Sequence, residues 1–185
     1  GEDLDRYPRD LARDAAMAEA RGVNLLFTPA AAEVYPAGPS AVRVVAPALA
    51  DRLCGRFRPG HFEGVLTVVA KLFNMVGPDV AVFGRKDLQQ AVLIRRMVRD
   101  LDFPLDVRVA PLVRERDGLA MSSRNVYLSA GDRAAALSLH RALQAAQAAF
   151  SAGERGPAAL ADAARMILDR QDGVSIEYVE VIDVD

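Results

Sequence analysis

The chain has 185 residues, 51% of them hydrophobic, and a formal net charge of −2. That length supports one substantial core, or one domain with a smaller companion. The near-neutral balance, with arginines spread along the sequence, argues against a nucleic-acid partner, and no apolar run or signal-peptide pattern points to a membrane. A lone Cys54 cannot form an internal disulfide and suits a reducing cytoplasm. With only His61 and His140, there is no Cys/His spacing for zinc.

In chain order, residues 11–21 are an alanine-rich helical stretch that Gly22 is placed to stop. Residues 23–27 predict a short buried strand. Residues 35–39 are a turn by composition. Residues 43–46 predict a short strand, 47–53 one or two helical turns, and 56–61 a basic loop. Residues 62–76 place apolar side chains at Val65, Leu66, Val68, Val69, Leu72, Phe73 and Val76. The valines fit a strand, but the length and spacing favour a helix, which Gly77 and Pro78 end.

The run Val80, Ala81, Val82, Phe83 then reads as a buried strand, followed by Gly84 and a helix to about Leu101 with one apolar and one basic face. Residues 105–109 predict a further strand. Strand and helix alternate from residue 23 to residue 109, which predicts an α/β fold with a parallel sheet and helices on its faces. Past Pro111 the pattern shifts. Ser129 is a good N-cap for a long helix to about Phe150, and Pro157 opens a second one to about Gln171. Residues 175–182 predict a last strand, so residues 111–185 predict a smaller α+β domain after residues 1–110.

Ligands in open α/β sheets collect beyond the carboxyl ends of the strands, where helix N-termini suit phosphate. Lys86 stands at such a point, Gly84 lets a ligand approach the backbone, and Asp87 can cap the helix or take a ribose hydroxyl. A second stretch, Asp117-Gly118-Leu119-Ala120-Met121-Ser122-Ser123-Arg124-Asn125, sets two hydroxyls beside a guanidinium. That combination can clamp a triphosphate, although a polar turn before a helix cap has the same composition.

Taken together, Phe-Gly-x-Lys-Asp-x-Gln-Gln from Phe83 and Asp-Gly-Leu-Ala-Met-Ser-Ser-Arg-Asn-x-Tyr-Leu from Asp117 resemble the pantoate–β-alanine ligase family. Three further stretches agree: Asp3-Leu4-Asp5-Arg6-Tyr7-Pro8-Arg9, Arg58-Pro59-Gly60-His61-Phe62-Glu63-Gly64-Val65, and Lys71-Leu72-Phe73-Asn74. The resemblance covers the whole chain. It also implies that family segments at both ends are absent here, including one with a His-x-Gly-His motif. The expectation is then an incomplete Rossmann-like nucleotidyltransferase sheet with the smaller domain, and near inactivity for these residues alone.

The resemblance implies condensation of pantoate with β-alanine through pantoyl adenylate, with ATP as substrate, Mg2+ riding on the phosphates, and a homodimer. It implies that Gly84, Arg85, Lys86, Asp87, Val113, Met121, Ser122, Ser123 and Arg124 bind ATP. Lys86, Ser122, Ser123 and Arg124 would stabilise the phosphates in the transition state. Gln90 would bind pantoate. His61 would lie near the phosphates or β-alanine, or be structural, and Asp14 would be a candidate metal ligand. Arg85 departs from the family pattern, where a glutamate is common; it either adds to phosphate attraction or loses a role in orienting Lys86. Two other readings compete: another adenylate- or cytidylate-forming enzyme of the same architecture, and a non-catalytic nucleotide-binding module.

Overall fold

The computed structural model describes residue 7 and residues 9–183. Of the stretch Asp3 to Arg9, only Tyr7 and Arg9 are therefore described; Asp3, Leu4, Asp5, Arg6 and Pro8 lie outside the described residues. The chain divides into two compact units, Gly1–Val42 with Ser122–Tyr127, and Arg43–Met121 with Leu128–Asp185.

In the first unit, helix α1 (Leu11–Glu19) starts at Asp10, whose carboxylate accepts the Arg13 N–H at 3.0 Å. Gly22, at φ +79°, follows its end. A single turn, α2 (Ala31–Val34), leads into the turn at residues 35–39, where the Gly38 N–H donates to the Tyr35 carbonyl. Residues 23–27 form no strand, and Leu25 is 80% exposed. A strand exists through a neighbour that takes its backbone groups, and among the described residues these five have none.

The second unit holds the sheet. A short helix, α3 (Pro47–Ala50), and a 3-10 turn (Leu53–Phe57) precede helix α4 (His61–Val76). Strand β1 (Val80–Gly84), helix α5 (Leu88–Asp100) and strand β2 (Asp106–Ala110) follow. β1 and β2 pair in parallel, Val80 opposite Asp106 through Gly84 opposite Ala110. Successive strand side chains point to opposite faces. Ala81, Phe83 and Val107 accordingly pack on the helices, while Val80, Val82, Asp106 and Arg108 are exposed.

Phe62, Leu66, Val69, Ala70 and Phe73 line one stripe of α4 and meet Leu93, Ile94 and Met97 of α5. Phe73 stands edge-on to Phe83 and Phe103, with centroids 6.3 and 5.7 Å away. Residues 43–46 are irregular rather than a strand, because the Val44 N–H is taken by the Thr67 hydroxyl at 3.0 Å instead of a ladder. The other irregular stretches obey packing too. Gly55 is buried with no room for a side chain, since a Cβ there would overlap the Ala50 carbonyl.

Helices α6 (Ala130–Ser151) and α7 (Pro157–Leu168) pack together around Ala142, Ala164 and Leu168. Ser129 and Asp132 cap α6 reciprocally. Residues 175–182 form no strand, having no neighbour to pair with among the described residues; Ile176 and Val179 pack on the α6–α7 core instead. Tyr178 stacks on Phe57 at 5.9 Å and Glu180 pairs with Arg56 at 3.4 Å.

Leu66 is 1% exposed at the centre of the α4–α5 core. Leu66→Ala should lower stability by about 2–5 kcal/mol, read from the urea midpoint at unchanged slope. A loss under about 0.5 kcal/mol would mean that this core does not hold the sheet.

Candidate active site

The carboxyl end of β1 delivers the chain into a 3-10 turn, Arg85–Asp87, and from there directly into α5. Gly84 is extended (φ −82°, ψ 139°), so it does not make a glycine-only turn. Its use is spatial: nothing lies within 4 Å of where a Cβ would be, so the strand end is open to a ligand. Arg85, Lys86 and Asp87 are all exposed. Asp87 occupies the N-cap position of α5 but its side chain makes no capping hydrogen bond; instead its carboxylate lies 3.5 Å from the Lys86 ammonium. That leaves the first N–H groups of α5 without a side-chain cap, at a helix end that favours anions.

Gln90 is half-buried one turn into α5. Its neighbour Gln89 has a structural task that the sequence does not signal. The Gln89 amide donates to the Leu49 and Arg52 carbonyls at 3.1 and 2.8 Å, tying the 49–52 turn to the start of α5.

Val113 and Met121 are brought together by a small antiparallel hairpin. The Met121 N–H donates to the Val113 carbonyl at 3.0 Å, Arg114 bridges Ala120, and the Glu115 N–H donates to the Leu119 carbonyl at 2.7 Å. Val113 and Met121 are 60% and 56% exposed, an apolar pair largely open to solvent.

Ser122, Ser123 and Arg124 belong to the other unit with Tyr7. The Arg124 N–H donates to Ser122 Oγ at 3.2 Å at the start of a 3-10 turn, Ser123–Tyr127. The Ser123 hydroxyl donates to Tyr7 Oη at 2.7 Å, and the Arg124 guanidinium lies 4.9 Å above the Tyr7 ring. Tyr7 thus holds a hydroxyl and a guanidinium side by side. Its place in the quoted stretch Asp3 to Arg9 was the available signal, but no role followed from it.

His61 opens α4 after Gly60, which takes a left-handed conformation, and its ring sits edge-on to Phe62 at 5.1 Å. A cavity of about 320 Å³ lies beside this loop, lined by Pro47, Asp51, Arg58, Gly60 and Glu63 among others. Asp14 stands exposed in the first turn of α1. Among the described residues, no group of three or more His, Cys, Asp or Glu side chains could hold a metal. Asp14 belongs to no such group. Burial pushes the Cys54 thiol up from its ordinary value, against the opposing pull of Arg58, which disfavours a reactive thiolate.

A model of the Pantoate-beta-alanine ligase family matches residues 1–185. The chain belongs to the pantoate–β-alanine ligase family. A pantothenate synthetase of Nitratidesulfovibrio vulgaris is 52% identical over 189 residues, covering 99% of this chain and 66% of that protein. One from Acidothermus cellulolyticus is 55% identical over 182 residues, covering 98% and 59%. The chain thus spans less than two thirds of the length of these pantoate–β-alanine ligase relatives. The crystal structure of pantothenate synthetase from Thermus thermophilus superposes with a TM-score of 0.87 at 51% identity, over 91% of this chain and 61% of that one. A pantoate–β-alanine ligase from Francisella tularensis, solved in complex with βγ-ATP and β-alanine, gives 0.73 at 31% identity, over 89% and 61%. The fold is that of these enzymes.

The pairing of Glu115 and Asp117 with Arg133 left no signal in the sequence, because Arg133 is distant in the chain. The Arg133 guanidinium lies 2.6 Å from Glu115 Oε2 and 2.7 Å from Asp117 Oδ2. The hydrogen bond from Arg133, aided by the Leu119 N–H, holds the Asp117 carboxyl below its ordinary value of 3.8. A lowered carboxyl stabilises the fold above the unfolded value and ceases to do so as pH falls through the folded one. Asp117→Asn should therefore be less stable than the parent at pH 6, with the gap closing below about pH 4. Acid titrations of both proteins followed by circular dichroism check this; a gap that does not close with falling pH would show that the ion pair is not its source.

Proposed function

We propose that the chain acts in the ATP-dependent condensation of pantoate with β-alanine to pantothenate, by way of pantoyl adenylate. In the first step a pantoate carboxylate oxygen bonds to the α-phosphorus and the bond to the bridging oxygen breaks, so pyrophosphate leaves. In the second, the β-alanine nitrogen attacks the acyl carbon, the C–O bond to AMP breaks, and the amine gives up a proton. The charge that moves onto pyrophosphate calls for cations and hydrogen-bond donors placed in advance.

The reading assigns those roles to Lys86, Ser122, Ser123 and Arg124. Asp87 takes the ribose, Val113 and Met121 the adenine, and Gln90 the pantoate. Arg85 adds positive charge near the phosphates, and His61 lies toward the phosphates or β-alanine. Magnesium enters as part of the nucleotide substrate, on phosphate oxygens. A homodimer, a cytoplasmic setting and a division of labour between residues 1–110 and 111–185 belong to the same proposal. No described helix is long and apolar enough to cross a membrane.

One observation carries the reading: the family match spans all of residues 1–185, and within it Lys86 and Asp87 stand where β1 opens into the N-terminus of α5. The Francisella relative's complex with βγ-ATP and β-alanine supports both the nucleotide and the amine substrate. Calorimetric titration with Mg–ATP tests it. Lys86→Ala should weaken binding by about ten-fold or more, the scale of one desolvated charge-assisted contact. Equal affinity in the two proteins would remove Lys86 from the phosphate site, and binding by neither would remove the site from this chain.

A further inference from the structure

Helix α6 carries two side chains toward the 113–121 hairpin, seven residues apart and so on one face. Arg133, in its first turns, gives Nη2 to Glu115 at 2.6 Å and both Nε and Nη2 to Asp117, at 2.9 and 2.7 Å. His140, two turns on, lies against Gly118, with Cδ2 2.6 Å from where a Cβ would be. Gly118 has φ +98°, so its conformation and the space beside it both exclude other residues.

The turn is also closed from within. The Gly118 N–H donates to the Glu115 carbonyl at 3.0 Å, the Leu119 N–H to Asp117 Oδ1 at 3.1 Å, and Arg114 Nη1 to the Gly118 carbonyl at 3.0 Å. Asp117 thus serves twice, one oxygen on the hairpin backbone and the other on α6. Leu119 is buried beneath, while Val113 and Met121 at the open end are exposed.

We propose that Arg133 is a positioning residue for the nucleotide base: from α6 it clamps the hairpin turn, so that Val113 and Met121 present a fixed apolar platform to adenine. The inference rests on the reading of Val113 and Met121 as the base-contacting pair. Arg133 itself touches no substrate. An exposed two-stranded hairpin is marginal by itself, and a guanidinium that joins two of its carboxylates to a long helix supplies the order that it lacks. The clamp acts on the base and not on the phosphates, which the same reading gives to Lys86, Ser122, Ser123 and Arg124, outside the clamped turn.

The experiment compares Mg–ATP with Mg–tripolyphosphate, which lacks the base, on the full chain by calorimetry. Arg133→Ala should weaken ATP about ten-fold while tripolyphosphate stays within about two-fold. Arg133→Lys, which keeps the charge but not the fork, should restore only part of the loss. Hydrogen exchange of the Leu119 and Met121 amides should quicken in Arg133→Ala. Asp117→Asn, milder in its effect on folding, should shift ATP in the same direction. ATP affinity unchanged in a folded Arg133→Ala protein, or equal losses of both ligands, would overturn the proposal. If the parent chain binds tripolyphosphate and ATP equally, the base-contacting reading itself fails, and the exchange rates still show whether the clamp exists.

Discussion

A parallel strand pair is held by what covers it. Here α4 and α5 supply one apolar layer, Phe62, Leu66 and Phe73 facing Leu93, Ile94 and Met97, and Ala81, Phe83 and Val107 of the sheet close onto it. Because α5 begins one turn after β1 ends, this packing also fixes where the 3-10 turn carrying Lys86 and Asp87 must lie. Position follows from burial: the inward faces of β1 and α5 are held in the apolar layer, and the charged turn between them lies outside it. Gln89 strengthens the same corner by tying the 49–52 turn to α5 through two backbone carbonyls.

The proposed reaction asks for placement of charge rather than covalent catalysis. A site for adenylation needs donors and cations aimed at phosphates, a pocket for the base, and a place for the acid to be activated. The candidate residues come in preassembled groups. Lys86 pairs with Asp87, Val113 is hydrogen-bonded to Met121, and Tyr7 aligns Ser123 with Arg124. Each group is held by its own ion pair, hydrogen bond or ring contact, so ligand binding would not have to order each of its members separately.

Much of this was legible from residues alone where pattern and burial coincide. The apolar stripe from Phe62 to Phe73 signalled α4, and Ser129 and Pro157 marked the starts of α6 and α7. The strands at residues 80–84 and 106–110 were legible because each has the other as its neighbour. Residues 23–27, 43–46 and 175–182 carry the same β-rich composition but no ladder, since composition shows a capacity for pairing and not the presence of a partner. In the site, motif residues could be named from sequence, but their supports could not. Tyr7, Gln89 and Arg133 act over long sequence separations through single side chains, which leave no periodic trace.

The most direct test of where the nucleotide sits is a backbone amide shift map recorded while Mg–ATP is added to the isotopically labelled chain. The largest shifts are predicted at Gly84, Arg85, Lys86 and Asp87, at Val113 and Met121, and at Ser122, Ser123 and Arg124, with α7 unmoved. Shifts confined instead to the cavity beside Pro47, Arg58 and Glu63, with the β1–α5 turn silent, would contradict the assignment of the nucleotide site.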